Sequence, residues 1–219
     1  MRCQLMSYII YTIYFVMVMV MIKLIHKFIR GFKFATPLRL TFFFLPFLIP
    51  AFQEGLPIFN IDNKYLLHAI LISILSSIVV LLFHIPEIKT YCHPEFYYLL
   101  PPLDLKSFFL IEYAIIGSVI FEEIFYRYYI PKDNLIISFI LTACLFVFAH
   151  FIQDATRKEF SIKSYVSLFV LSIIWYLSLI ISDSIIPAML GHLAYNSPKI
   201  YSYVYHLYFS YKNKKYFEI

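Results

Sequence analysis

Two adjacent carboxylates and an arginine interrupt an apolar stretch of this chain: Glu122, Glu123 and Arg127. On insertion scales, each ionised group costs roughly 2.5–3.5 kcal/mol at the centre of a bilayer. Glu123 and Arg127 stand four residues apart with the glutamate first, the favourable orientation for a helical ion pair that neutralises both. Glu122 points about 100° away around the helix. An unpaired carboxylate in a low-dielectric environment is suited to general acid or base chemistry.

Further polar groups stand in two later apolar segments. His150 follows Phe146 by four residues, and His192 precedes Asn196 by four, so the second imidazole and its carboxamide share one helical face. A lone histidine in a membrane helix is more often a packing residue than a catalyst. Three polar groups in three separate apolar segments favour a common site instead. The alternative for the glutamates, a span that ends near Phe121 with its charges in the headgroup region, stays open.

The composition indicates that these segments cross a membrane. Of the 219 residues, 62% are hydrophobic and only 14% are charged, more apolar than a soluble domain requires. Within hydrocarbon only helices and closed barrels satisfy their backbone groups, and the apolar runs are too long for barrel strands. The net charge of +5 lies in short patches beside these runs. Lipid headgroups explain it, and we expect no nucleic-acid partner.

We predict an all-α integral membrane protein, a polytopic bundle of about seven transmembrane helices with its site between helices four, five and seven. The second span is the weakest, because Pro46 and Pro50 interrupt it and favour a kinked, re-entrant or interfacial segment. We expect unassigned amino-terminal helices and loops over 1–104, a catalytic helical core over 105–210 and a basic tail over 211–219. The predicted spans are roughly 7–25, 39–53, 65–85, 105–130, 134–153, 162–182 and 184–209.

Basic residues cluster in alternate connections, which predicts the orientation of the chain through the positive-inside rule. The clusters follow spans one, three, five and seven, so the amino terminus is expected outside and the carboxy terminus in the cytoplasm, in a bacterial plasma membrane. The basic residues of these segments are Lys23, Lys27, Arg30, Lys33, Arg39, Lys89, Lys106, Arg157, Lys158, Lys163, Lys212, Lys214 and Lys215.

The ordered motifs Glu-Glu-x-x-x-Arg, Phe-x-x-x-His and His-x-x-x-Asn resemble those of the CPBP family of intramembrane proteases. This family includes the prenyl-protein CAAX endopeptidases and the bacterial Abi proteins linked to bacteriocin processing and immunity. The resemblance covers about residues 115–200, and Pro187-Ala188 resembles the usual approach to the third motif. Tyr128 departs from the family, where glycine often follows the arginine.

The resemblance implies a hydrolase whose substrate is a peptide or a membrane-anchored protein. Glu122 would activate a water molecule that His150 holds, and His192 with Asn196 would stabilise the oxyanion. Glu123 would form part of the catalytic set while pairing with Arg127, and Phe146 would pack beneath His150. Arg127 and Phe146 would give structural support to the site.

The same residues leave a metal-dependent alternative open. Two histidines and a glutamate could ligate zinc with one position left for water. However, the HExxH motif is absent, and Asn196 suits an oxyanion donor better than a zinc ligand. We therefore favour a site that requires no cofactor.

Two further functions remain open. One is a non-catalytic immunity or partner-binding protein on the same scaffold, and the other is a transporter or proton relay. Neither an inverted repeat nor a pair of broken half-helices is visible to favour transport.

The helix lengths raise one geometric question. A straight hairpin after span four would leave Glu122 and His150 on the order of 12 Å apart in depth, at 1.5 Å per residue. Either the helix breaks near Arg127 and the segment 128–131 returns towards the site, or span five begins deeper than these bounds. We predict the break.

Overall fold

The computed structural model describes residues 2–29, 35–57 and 59–213, whose regular secondary structure is helical with no β-strand among them. Of the residues with predicted roles in orientation, Arg30, Lys33, Lys214 and Lys215 lie outside this description, as does most of the expected basic tail. The α-helices are α1 Arg2–Ile29, α2 Ala35–Phe44, α3 Ala51–Glu54, α4 Leu66–Phe83, α5 Ile85–Thr90, α6 Pro94–Tyr98, α7 Leu105–Glu123, α8 Leu135–Ile152, α9 Asp154–Glu159, α10 Ile162–Ser182 and α11 Ile186–Lys212.

Four helices in the described ranges are long and apolar enough to cross a membrane: Leu5–Ile29, Leu66–Phe83, Leu135–Ile152 and Ile162–Ser182. They coincide with predicted spans one, three, five and six, which supports an integral membrane protein. Predicted spans four and seven are also long helices, α7 and α11, but polar and charged residues lower their hydropathy. The total of seven therefore stays a prediction.

The predicted second span is not a single helix. Helix α2 ends at Phe44 and passes into a 3₁₀ turn, Leu45–Leu48, before the one-turn helix α3. Pro46 lies in this turn and Pro50 precedes α3, so the two prolines that weakened the prediction coincide with the interruption.

The long helices pack around α11, which contacts α4, α7 and α10, while α10 also contacts α4 and α8. Helix α1 packs against α2, and α2 against α7. Small residues allow the closest approach: a Cβ on Gly191 of α11 would lie 2.6 Å from Nε1 of Trp175 and 2.8 Å from Cβ of Ser73. The hydroxyl of Ser77 on α4 donates to the Gly191 carbonyl at 2.8 Å.

Helix α7 ends its α-helical course at Glu123 and continues as a π-helical turn, Ile124–Tyr128. The predicted departure from a straight α-helix is present, and it begins three residues before Arg127. Side chains from other helices satisfy the displaced carbonyls: Tyr11 of α1 donates to the Phe125 carbonyl at 2.7 Å, and Thr142 of α8 to that of Tyr126 at 2.5 Å. In a membrane protein such bonds replace those that water cannot supply.

Candidate functional site

Four of the predicted site residues line one cavity of about 550 Å³: Glu122, His150, His192 and Asn196. They come from α7, α8 and α11, which correspond to predicted spans four, five and seven. The straight-hairpin estimate assumed continuous α-helices, whereas the chain passes through the π-helical turn Ile124–Tyr128 between Glu122 and α8.

Glu122 and Glu123 have different surroundings although they are neighbours in sequence. Glu122 lines the cavity and is 6% exposed, and no hydrogen-bond partner for it is found among the described residues. Glu123 is fully buried, with Oε1 3.1 Å from the Nη1 of Arg127 and 2.8 Å from Nδ1 of His192. The pairing of Glu123 with Arg127 was expected from their spacing, whereas its contact with His192 was not. Glu122 is thus the carboxylate that can meet a cavity water.

Arg127 lies in an aromatic enclosure with no exposed surface. Its guanidinium carbon is 4.2 Å from the ring centroid of Phe146 and 5.4 Å from that of Trp175, and Nη2 donates to the hydroxyl of Ser172 at 3.1 Å. Cation–π attraction and this hydrogen bond add to the Glu123 pair in compensating for the buried charge. Arg127 does not line the cavity and can act on it only through its neighbours.

The ring of His150 is oriented by its own helix. Nδ1 lies 2.9 Å from the carbonyl of Phe146, which can only accept, so this nitrogen carries a proton and, in the neutral ring, Nε2 keeps a lone pair. The imidazole packs edge-on against Phe146, with centroids 4.6 Å apart, and stacks on Phe160 at 5.8 Å. Thr156 donates to the His150 carbonyl. This imidazole is therefore suited to accept a hydrogen bond from water.

His192 is held in a similar way, but by a carboxylate. The bond to Glu123 assigns a proton to Nδ1, so Nε2 is the other functional atom of the ring. The imidazole lies nearly parallel to the indole of Trp175, at 16° and 4.8 Å between centroids. Asn196, one turn further along α11, is partly buried and lines the same cavity, so the imidazole and the carboxamide can address one bound atom.

Other cavity walls come from residues that the motifs do not include. Leu40, Phe43 and Phe44 of the second predicted span line the cavity, although sequence reasoning gave that span no role. Thr156 and Phe160, after α8, line it as well, together with Lys199 of α11. Apolar and aromatic types alone do not distinguish a cavity wall from a lipid-facing surface. Among these additional wall residues, Lys199 had the clearest sequence signal, because it is a charged residue in a helical segment three positions after Asn196.

The zinc alternative requires several ligand side chains grouped around one point. Among the residues that the structure describes, no three His, Cys, Asp or Glu side chains are grouped closely enough to hold a metal ion. The Nδ1 atoms of both histidines are already engaged by protein acceptors, which leaves Nε2 of each ring for any further ligand.

Residues 102–198 match the family model described as type II CAAX prenyl endopeptidase Rce1-like. The matched segment contains the three motifs and agrees with the resemblance to CPBP intramembrane proteases. It implies a membrane endopeptidase acting on a peptide or membrane-protein substrate. No curated protein and no solved structure matches the chain.

Proposed function

We propose that this protein is an intramembrane endopeptidase that hydrolyses a peptide bond with a water molecule activated by Glu122. One observation carries this proposal: Glu122, His150, His192 and Asn196 come from three helices and line a single cavity. The family match over 102–198 supports the same class of enzyme. Glutamate dependence is preferred because Glu122 has no competing partner among the described side chains, whereas Glu123 is occupied by Arg127 and His192.

In the first step, Glu122 accepts a proton from water while the water oxygen forms a bond to the substrate carbonyl carbon. His150 holds this water through the lone pair on Nε2, because its Nδ1 proton is committed to the Phe146 carbonyl. The carbonyl π electrons move to oxygen and produce a tetrahedral oxyanion. Stabilising this oxyanion requires hydrogen-bond donors that are already in place when the negative charge develops.

The side chains of Asn196 and His192 supply these donors. The Asn196 amide donates directly, whereas His192 donates from Nε2 when its ring carries a second proton. That positive charge would lie 2.8 Å from Oε1 of Glu123, which compensates for it. In the second step, the protonated Glu122 returns its proton to the amide nitrogen as the carbon–nitrogen bond breaks. The products are a carboxylic acid and an amine, and Glu122 is regenerated.

The cavity favours a substrate that brings both an extended peptide and apolar groups to a membrane surface. Its walls combine the aromatic side chains of Phe43, Phe44 and Phe160 with a few polar groups, as in many sites that take largely apolar ligands. Bacterial membrane localisation, an outside amino terminus and a cytoplasmic carboxy terminus are parts of the proposal. The orientation follows from the basic connections, as do contact with lipid headgroups and the expected lack of a nucleic-acid partner.

The proposal is tested with purified wild-type protein in detergent or liposomes and a panel of fluorogenic peptides, some carrying lipid anchors. We expect cleavage that continues in the presence of a chelator and falls by about 10²–10⁴-fold in Glu122→Gln. His150→Ala and His192→Ala should also lose cleavage while inserting into the membrane at wild-type levels. Cleavage that survives Glu122→Gln would exclude the general-base assignment. Loss of wild-type cleavage on addition of a chelator would favour the zinc alternative.

The second function, a non-catalytic immunity or partner-binding protein, predicts a different result from the same variants. Protection of cells or partner capture would persist in Glu122→Gln, because the carboxamide preserves the size of the side chain and the cavity surface. Loss of both cleavage and cellular function in this variant would support the enzyme.

A further inference from the structure

Trp175 is the protein's single tryptophan, and it lies on α10, outside the three motifs. Its side chain is fully buried, and it contacts His192 by stacking and Arg127 through the face of the indole. The proposed chemistry assigns no role to α10. Through this indole, α10 contacts one of the proposed catalytic residues, His192.

We infer that Trp175 is a positioning residue that fixes the ring plane of His192, and so the direction in which Nε2 meets the substrate. The inference rests on the proposed function of His192. The hydrogen bond from Nδ1 to Glu123 fixes one atom of the imidazole but still allows the ring to turn about that bond. Stacking at 16° against the indole restricts this freedom over the face of the ring, and Phe146 contacts the same ring edge-on with centroids 5.8 Å apart.

The indole can restrict the His192 ring because a hydrogen bond to α4 holds the indole itself in place. Nε1 donates to the Ser77 hydroxyl on α4 at 3.2 Å, and Ser77 also donates to the carbonyl of Gly191. Gly191, which immediately precedes His192, permits the approach, since a Cβ there would lie 2.6 Å from Nε1. Ser77 lies outside residues 102–198, so a helix beyond the family match contributes to the orientation of the site.

An aliphatic residue at 175 could fill the volume but could not define a plane. A misplacement of about 1 Å at a reacting group can cost on the order of 10²-fold in rate. The loss should appear in kcat rather than in KM, because His192 is proposed to meet the oxyanion and not the ground-state substrate.

The experiment compares three variants of the full-length protein: Trp175→Leu, Trp175→Phe and, as matched control, Tyr176→Leu. Tyr176 is the neighbouring, fully buried aromatic residue on α10, but it packs against Phe139 of α8, with centroids 4.9 Å apart. We expect Trp175→Leu to lower kcat by about 10²-fold with KM within about threefold. Trp175→Phe should recover most of this loss by restoring a stacking ring, and Tyr176→Leu should keep kcat within about threefold.

Equal losses of kcat in Trp175→Leu and Tyr176→Leu, or no recovery in Trp175→Phe, would overturn the inference. A second measurement covers the case in which Trp175→Leu fails to fold. Because Trp175 is the only indole, its fluorescence lifetime reports its contact directly, and His192→Gln should change that lifetime. An unchanged lifetime would show that the stack is absent and would refute the positioning role.

The two hypotheses fail separately. Cleavage that persists in Glu122→Gln would refute the proposed mechanism whatever the behaviour of Trp175. Normal kcat in Trp175→Leu, alongside an inactive Glu122→Gln, would refute only the positioning role.

Discussion

Oε1 of Glu123 lies 2.8 Å from Nδ1 of His192 and 3.1 Å from Nη1 of Arg127, so one carboxylate oxygen joins two residues that are 65 positions apart in the chain. The contact separates the duties of the two adjacent glutamates. Glu123 supports the buried arginine and orients the histidine, and Glu122 remains available to the cavity.

This relationship predicts different stabilities for the two conservative glutamate variants. Glu123→Gln leaves Arg127 buried without its counter-charge, and we expect it to lower the free energy of unfolding by about 3–5 kcal/mol. Glu122→Gln, the matched control one residue earlier, removes no ion pair and should change that free energy by less than about 1 kcal/mol. Unfolding by SDS titration from mixed micelles measures both.

The double variant Glu123→Gln/Arg127→Met checks the cause of this difference. Once the unpaired charge is also removed, it should be more stable than Glu123→Gln alone. Additive losses from the two substitutions would contradict an energetic coupling between Glu123 and Arg127.

The π-helical turn predicts a distinct role for Thr142. Thr142→Val keeps the shape of the side chain but leaves the Tyr126 carbonyl without its hydroxyl donor, at a cost of about 1–3 kcal/mol. We expect faster amide hydrogen exchange across 124–128, measured by mass spectrometry.

Thr12→Val is the control for this prediction. The Thr12 hydroxyl donates to the Tyr8 carbonyl within α1, where the backbone does not depart from α-helical geometry. Its loss should leave exchange in 124–128 unchanged. Equal exchange in the two variants would mean that the Thr142 hydroxyl does not stabilise the turn.

The aromatic wall predicts a change in substrate size preference. A Cβ on Gly117 would lie 2.4 Å from Cε2 of Phe44, so Gly117→Ala must displace a ring that lines the cavity. Because Phe44 also stacks on Phe121 at 5.2 Å, we expect the displacement to narrow the cavity. KM for a peptide with a bulky side chain beside the cleaved bond should rise about tenfold, and less for its alanine analogue.

The combination Gly117→Ala/Phe44→Ala tests this explanation, because it removes the ring that the new methyl group displaces. It should lower KM for the bulky peptide again. A KM as high as that of Gly117→Ala would show that the effect does not pass through Phe44.

Lys199 predicts a charge preference at the cavity. It lines the cavity one helical turn beyond Asn196, with Nζ 3.9 Å from Oε2 of Glu159. Lys199→Glu should raise KM several-fold for peptides with an acidic group near the cleaved bond and leave kcat unchanged, with a smaller effect at high salt.

Lys163→Glu is the matched control for Lys199→Glu. Lys163 also pairs with a glutamate, Glu87, at 3.3 Å, but it does not line the cavity. The same rise in KM for both variants would indicate a general surface-charge effect instead of recognition by Lys199.

Sequence alone was sufficient where the relevant physics is local. Apolar runs identified α1, α4, α8 and α10, because crossing a membrane requires a minimum length of apolar helix. Spacing along one helix gave the pair of Glu123 with Arg127, since residues four apart share a face. The motif residues could likewise be named from their order, and the family match covers the segment that contains them.

Only the tertiary structure decided which groups share a cavity and what each one contacts. Glu122 and His150 line one cavity, and between them the chain leaves α-helical geometry at Ile124. Within that turn, Tyr11 donates a hydrogen bond to the Phe125 carbonyl and Thr142 donates one to the Tyr126 carbonyl. The carboxylates and the later histidines were evident from sequence as polar residues in apolar segments. The packing of α7, α10 and α11 decides that Glu123 is the carboxylate bonded to His192 and that Trp175 stacks on the His192 ring. Such contacts join residues far apart in the chain, so they leave no periodic pattern in the sequence.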